Sequence, residues 1–514
     1  MPEYLHPGVY IEEIERGPRP IEGVPTSTAA FLGETERGPT KPRLVTSYKE
    51  YQRWFGGVFG DDKYLPYAVS GFFENGGKRL FACRIAGAGA TAASAAFGDF
   101  TVRAVGPGAW GKRIWAEVLD SSTRKPDSPT TTIPVGFRLR LAYWSTMPAD
   151  GPFNPFTNPR KTPRPDLMED FDDLVTDPAS PDYYEKRLLD SSALATLVKP
   201  DNPAPGAKPD NGARMLDQDG VEDPDITSVD YEGGATGARL QPQGLAALEQ
   251  DPYRDVALVY APAVNTGIAQ KIITHCENLR FRFAAVDSDK QVGDIGSMEP
   301  RNIQDTHFAA FYFPWIWISD PQTGARKLVP PGGHSLGVYA RTDSERGVFK
   351  APANETLRGA LALAADINDA AQDQLNPKGV NVIRSFPGRG IRIWGARTMS
   401  SNALWKYVSV RRLFIFLERS IYEGTQWVVF EPNDPRLWAR VTDTLRLFLR
   451  GQWRAGALFG RTEEQAFFIT CDETTMTQDD ILNGRLVCEI GIAPVRPAEF
   501  VVFRIFQNTA EAQT

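Results

Sequence analysis

The sequence predicts an α/β and α+β multidomain fold: a discontinuous α/β domain interrupted by a β-rich insertion, then a C-terminal α+β domain with strand-donating terminal arms. Three observations carry this. Short, wholly apolar runs alternate with helical patterns both before residue 98 and after residue 244, as buried strands between helices do. The stretch between them changes composition, with short strands split by turns. Each end of the chain carries a β-prone run without a local partner. The 514 residues, 42% hydrophobic and 24% charged, suffice for about three domains with a core each.

Residues 1–20 read as a linker arm. Val9, Tyr10, Ile11 and Glu12 are β-prone, but Pro7-Gly8 and Gly17-Pro18 isolate them. In the α/β domain (21–97 and 245–375), Thr28–Gly33 and Arg79–Ala86 predict buried strands. Ser47 caps a helix through Phe55, and Pro66 opens another through Asn75. The pattern resumes with strands at Val256–Ala261 and Arg282–Val286, a helix from Thr266 to Asn278 between them, and a strand or strand-turn at Phe308–Ile318. Asn354 predicts a helix through Gln374. The insertion (98–244) carries strands near Thr101–Val105, Arg113–Leu119 and Val135–Ala142. Its residues 150–240 hold 19 acidic against 9 basic residues and predict a surface insertion with long loops. The C-terminal domain (376–514) predicts strands over 380–397, two amphipathic helices and three final strands. In its second helix Asp434-Pro435 forms the cap, and Leu437, Val441, Leu445 and Phe448 share one face. Arg446, Arg450 and Arg454 stripe the opposite side, where spacing alone predicts a solvated face.

Several function classes are disfavoured. The 57 basic and 64 acidic residues give −7, without the basic excess that nucleic acid binding needs. Four cysteines, Cys83, Cys276, Cys471 and Cys488, fit small core residues in a reduced cytoplasm. The N-terminus lacks a signal-peptide pattern, and the longest apolar stretch is too short to insert in a membrane. Gly106-Pro107-Gly108-Ala109-Trp110-Gly111-Lys112 matches GxGxxG, but a strand pattern follows instead of a helix, so it predicts a turn and no cofactor. His6, His275, His307 and His334 stand in no metal-ligand spacing. Asp287 and Asp289 close a predicted strand, where α/β enzymes place ligands. Turn chemistry is the preferred reading of that pair, and an enzyme using Asp287 or Asp289 is the alternative.

Longer segments point to a family. HPGVYIEE (6–13), FLGETERGP (31–39), LFACRIAG (80–87) and GPGAWGK (106–112) resemble, in order, segments of contractile tail sheath proteins of bacteriophages and phage-tail-like injection systems. The long motif at 330–354 and the segments 375–401, 426–434 and 476–505 are similar to the same family, which thus covers roughly 1–97 and 245–514. The resemblance implies a structural, non-enzymatic subunit without cofactors. Such subunits stack as hexameric rings around an inner tube protein, between baseplate and terminator or cap proteins, and contract to drive the tube through a target envelope. It implies assembly in the cytoplasm, with release in particles on lysis left open. Under it, Val9, Tyr10, Ile11 and Glu12, with Phe500, Val502, Arg504 and Phe506, exchange strands between subunits. Arg446, Arg450 and Arg454 then face the tube. A non-contractile shell or scaffold is the rival structural reading.

Overall fold

A computed structural model describes residues 20–200, 206–234 and 242–504. The chain divides into two compact units, one built on 25–411 and one on 412–504 together with the residues before 25.

The 25–411 unit is organised by a nine-stranded sheet. Its six central strands are parallel, in the order Leu80–Arg84, Ala29–Gly33, Leu258–Tyr260, Phe283–Asp287, Ala309–Phe313 and Val380–Phe386. Numbered along the chain this is 2-1-3-4-5-6, a doubly wound order with its switch between the first and third strands. Ala29–Gly33, Leu80–Arg84 and Ala309–Phe313 are buried throughout, which is why they read as unbroken apolar runs. Arg43–Val45 closes one edge antiparallel, and Gly390–Ile393 with Glu355–Thr356 closes the other.

Helices begin where small polar residues can cap them. Ser47 Oγ accepts from the Glu50 amide at the start of Tyr48–Phe55, and Asn265 Oδ1 accepts from the Ile268 amide at the start of Thr266–Leu279. The helix Gly332–Arg346 packs along Leu65–Glu74. The sequence reading assigns no helix there and treats 330–354 only as a family-like motif. The glycines serve close approach instead. A Cβ on Gly333 would fall 2.6 Å from the Ala68 Cα, one on Gly337 would fall 2.5 Å from the Phe72 carbonyl, and Gly71 lies against the His334 ring.

Two further segments depart from expectation. The helix predicted from Asn354 through Gln374 is present only as Asp369–Leu375. Asn354 and Gly359 take positive φ, and Ala360–Leu363 pairs with Ile316–Ser319, so cross-strand bonding overrides alanine's helix preference. The strands expected over 380–397 in a C-terminal domain starting at 376 join the large sheet, with Phe311 opposite Val380 and Phe313 opposite Val382.

Between Ala93 and Asp219 the chain builds two four-stranded antiparallel sheets. They share one core that includes Phe97, Val102, Ile114, Phe137, Leu141 and Leu197. The acidic stretch is not only loop. It supplies Leu167–Leu174, Ala195–Val198 and Gly212–Met215 as strands and buries Leu174, Tyr184 and Leu194. Most of its acids lie at the surface, where Asp170 and Asp172 pair with Arg138, but Glu169 is buried and accepts from Ser192 Oγ and the Ala193 amide. The GPGAWGK segment is a turn leading through Ala109–Arg113 into the strand Ile114–Asp120.

The second unit centres on two helices. Residues of Val408–Gly424 from Arg412 onward receive the first described residues of the chain: Ile21 packs on Gly424 and the Val24 amide donates to Ser420 Oγ at 3.1 Å. Pro435–Arg454 starts with Asp434 Oδ1 accepting from the Leu437 amide at 2.8 Å. It buries Leu437, Trp438, Val441, Leu445, Phe448 and Leu449, the face its spacing predicts. Two strands follow, Phe467–Thr470 and Glu489–Ile492, paired antiparallel.

Candidate assembly surface

The strand pair Phe467–Thr470 and Glu489–Ile492 forms a sheet of only two strands. Two strands alone leave outward N–H and C=O groups for another chain to meet. Phe468 is 57% exposed and its ring covers Gly491 on the opposite strand. Next to it, the Phe459 amide donates to the Ala493 carbonyl, and the Phe459 side chain is also exposed.

Phe500, Val501, Val502 and Phe503 are 73%, 68%, 77% and 85% exposed and belong to no strand. The third terminal strand predicted here is therefore not formed within the described residues. Four consecutive large apolar residues form a stable strand only where a neighbouring ladder accepts them, and no strand among the described residues pairs with them. Arg504 is exposed, whereas Phe506 and the arm residues Val9, Tyr10, Ile11 and Glu12 lie outside the described residues.

The loop between the two helices adds a third apolar feature. Phe430 is fully exposed and sits at φ 68°, a conformation costly for a side chain of its bulk, beside exposed Val429. Nothing in the spacing of the sequence marked Phe430, since its exposure follows from the turn and not from periodicity.

The arginine stripe is only partly free. Arg446 Nε lies 3.6 Å and Arg450 Nε 2.6 Å from the Glu463 carboxylate. Arg446 also lies 3.7 Å from Asp443. The Glu463 bond raises the Arg450 pKa further. Arg454 is exposed and makes no ion pair among the described residues. Glu463 was missed because it belongs to a separate short helix, Glu463–Ala466, brought beside the stripe by the tertiary fold.

Of the alternative pair, Asp287 is tied into the fold and Asp289 is not. The Asp287 carboxylate accepts from Tyr260 Oη at 2.6 Å, the Gly332 amide at 2.9 Å and the Ala263 amide at 3.3 Å. It anchors the start of the Gly332–Arg346 helix on the sheet, and burial pushes its pKa up to about 6. Asp289 is exposed. His275 is buried against Arg282, which donates to the Leu248 and Tyr253 carbonyls, and burial lowers its pKa to about 3. His334 is buried with its pKa lowered to about 4. Among the described residues no cluster of His, Cys, Asp or Glu is placed to hold a metal ion, and no helix is long and apolar enough to cross a membrane.

Comparison with known proteins gives a consistent answer. Residues 221–399 match the family described as the phage tail sheath protein central domain, and residues 400–508 match the phage tail sheath C-terminal domain. A prophage major tail sheath protein of Pseudomonas aeruginosa is 26% identical over 37% of this chain and 49% of its own length. The tail sheath protein of Vibrio phage KVP40 is 25% identical over 38% of this chain and 28% of its own. The matches thus span half or less of these curated relatives. A solved PVC sheath complex of an extracellular contractile injection system, in its contracted state, superimposes with a TM-score of 0.59 at 22% identity. That match covers 99% of this chain and all of the other, and shows the fold.

Proposed function

We propose, from the premise that this chain belongs to the phage tail sheath family, that it is the structural subunit of a contractile sheath. Subunits would polymerise as stacked hexameric rings around an inner tube and contract to drive that tube through a target envelope. The observation that carries this reading is the exposed Phe500–Phe503 run, in a unit whose terminal sheet has only two strands. Such a run is stabilised by strand addition to another copy, and backbone ladders hold copies together whatever their side chains.

The finer assignments follow from the same reading. The discontinuous α/β body is the rigid part, and the acidic faces of the 93–219 sandwich point away from the assembly axis. Val9, Tyr10, Ile11 and Glu12 pair with a neighbouring copy's sheet, as do Phe500, Val502, Arg504 and Phe506. Arg446, Arg450 and Arg454 face an acidic stripe on the tube, exchanging Glu463 for tube carboxylates. Baseplate and terminator proteins occupy the ends. The chain works without a cofactor or catalytic centre, its action residing in subunit packing.

Electron microscopy of the purified protein tests this. Long hollow tubes are the expected result. A protein that stays monomeric at high concentration, with its C-terminal residues intact, would overturn the reading.

A further inference from the structure

The four cysteines are far apart in sequence, but the register of the terminal strand pair brings two of them together. Phe467 stands opposite Ile492, and the pairing runs unbroken to Thr470 opposite Glu489. One step further, Cys471 stands opposite Cys488. Hydrogen-bonded and non-hydrogen-bonded pairs alternate along an antiparallel ladder. The Ala493 amide donates to the Ala466 carbonyl at 2.9 Å, so that pair is hydrogen-bonded. Stepping along the ladder places Cys471 and Cys488 in a non-hydrogen-bonded position. Cα atoms approach to roughly 4.5 Å at such positions, inside the roughly 4.4–6.8 Å that a disulfide spans.

The surroundings favour the same pairing. Both thiols are free, Cys471 buried and Cys488 partly exposed. Thr475 Oγ1 donates to the Val487 carbonyl at 2.8 Å, drawing the connecting segment in beside the pair. Burial, and then the neighbouring Cys471, push the Cys488 thiol up to about 12, so thiolate is scarce and oxidation slow under reducing conditions.

We propose that Cys471 and Cys488 are a modification site, joined by an intramolecular disulfide once the chain meets an oxidising thiol–disulfide pool. With oxidised glutathione as the oxidant, the Cys488 thiolate attacks one glutathione sulfur and expels the other glutathione as thiolate. The Cys471 thiolate then attacks Cys488 Sγ of the mixed disulfide and expels the second glutathione. Two protein thiols are oxidised, one glutathione disulfide is reduced, and the two thiol protons end on the two glutathione products. The bond would close the neck of the segment that connects the two strands, at the loop end of the pair.

The test uses the full chain, purified with reductant, desalted and incubated with oxidised glutathione. Titratable thiols in the denatured protein should fall from four to two, and peptide mapping without reductant should recover Cys471 linked to Cys488. Cys471→Ser should retain glutathione on Cys488, because the resolving thiol is missing. A Cys83→Ser/Cys276→Ser variant should lose both remaining thiols. If that variant fails to fold, the wild-type peptide map decides alone. Four persistent thiols, a stable glutathione adduct on the wild-type chain, a link to Cys83 or Cys276, or a link between chains would each overturn the proposal.

Discussion

Among the described residues, twelve of the twenty-one large apolar side chains left exposed lie between Tyr422 and Phe503, although the unit on residues 25–411 holds most of the chain. The larger unit seals itself. Phe31, Tyr260, Tyr312 and Tyr339 are fully buried, and its long sheet ends in antiparallel edge strands. The smaller unit buries one face of its main helix but leaves Phe430, Phe459, Phe468 and Phe500–Phe503 in water. Soluble monomers rarely leave apolar groups so concentrated. The contrast sets a unit that buries most of its large apolar side chains against one that carries the surface on which the proposed assembly rests.

The sharpest way to break the contrast is to remove the unsatisfied surface. A chain ending at Glu499 should lose assembly entirely while its monomer melts as before, read by size-exclusion chromatography and calorimetry. Deleting residues 1–20 should act in the same direction. Tubes formed by either truncation would refute strand exchange at that terminus.

Next in size is damage to the sealed unit. Phe31 packs edge-on against Phe72 and Tyr260, with ring centroids 5.3 and 5.1 Å away. Phe31→Ala should cost about 3–5 kcal/mol in denaturant unfolding. A loss below about 1 kcal/mol would show that this core is less completely packed than its burial indicates.

A smaller effect is expected at Asp287. Asp287→Ala orphans the donors it accepts from and should cost about 1–3 kcal/mol. The pH dependence has a definite sign. The folded carboxyl titrates near 6, above the ordinary Asp value of 3.8. The folded chain therefore holds a proton that the unfolded chain releases between those values. From this group alone, stability rises as pH falls from about 6 towards 4, and Asp287→Asn should remove that component. Identical pH profiles for wild type and Asp287→Asn would contradict the assignment.

The smallest change in stability is expected on the arginine stripe. Arg450→Ala should move the melting point little, since its bond to Glu463 is only partly buried and such pairs near the surface contribute little. Changing Arg446, Arg450 and Arg454 together to Glu should also preserve folding, yet abolish co-sedimentation with tube at low salt. Retained tube binding there would place the contact elsewhere.

Strands and capped helices were legible because each carries a local signal: unbroken apolar runs in the parallel sheet, Ser47 or Asp434 at helix starts. What the sequence hid depends on distance. The Gly332–Arg346 helix carried no legible helix signal, because its glycines answer to the Leu65–Glu74 helix. The alanines at 360–364 looked helical because their strand partner lies more than forty residues earlier. At the candidate site, the apolar terminal run and the arginine stripe were visible as patterns. Glu463 beneath the stripe, the turn that exposes Phe430 and the meeting of Cys471 with Cys488 required tertiary register.

The glycine contacts between Leu65–Glu74 and Gly332–Arg346 also bear on mechanics. With Gly333 on Ala68, Gly337 on Phe72 and Gly71 under His334, neither helix can slide without driving side chains into backbone. An interface at van der Waals limit is nearly incompressible. It transmits a push but cannot act as a spring. In whatever rearrangement the proposed assembly undergoes, these two helices are expected to move as one piece.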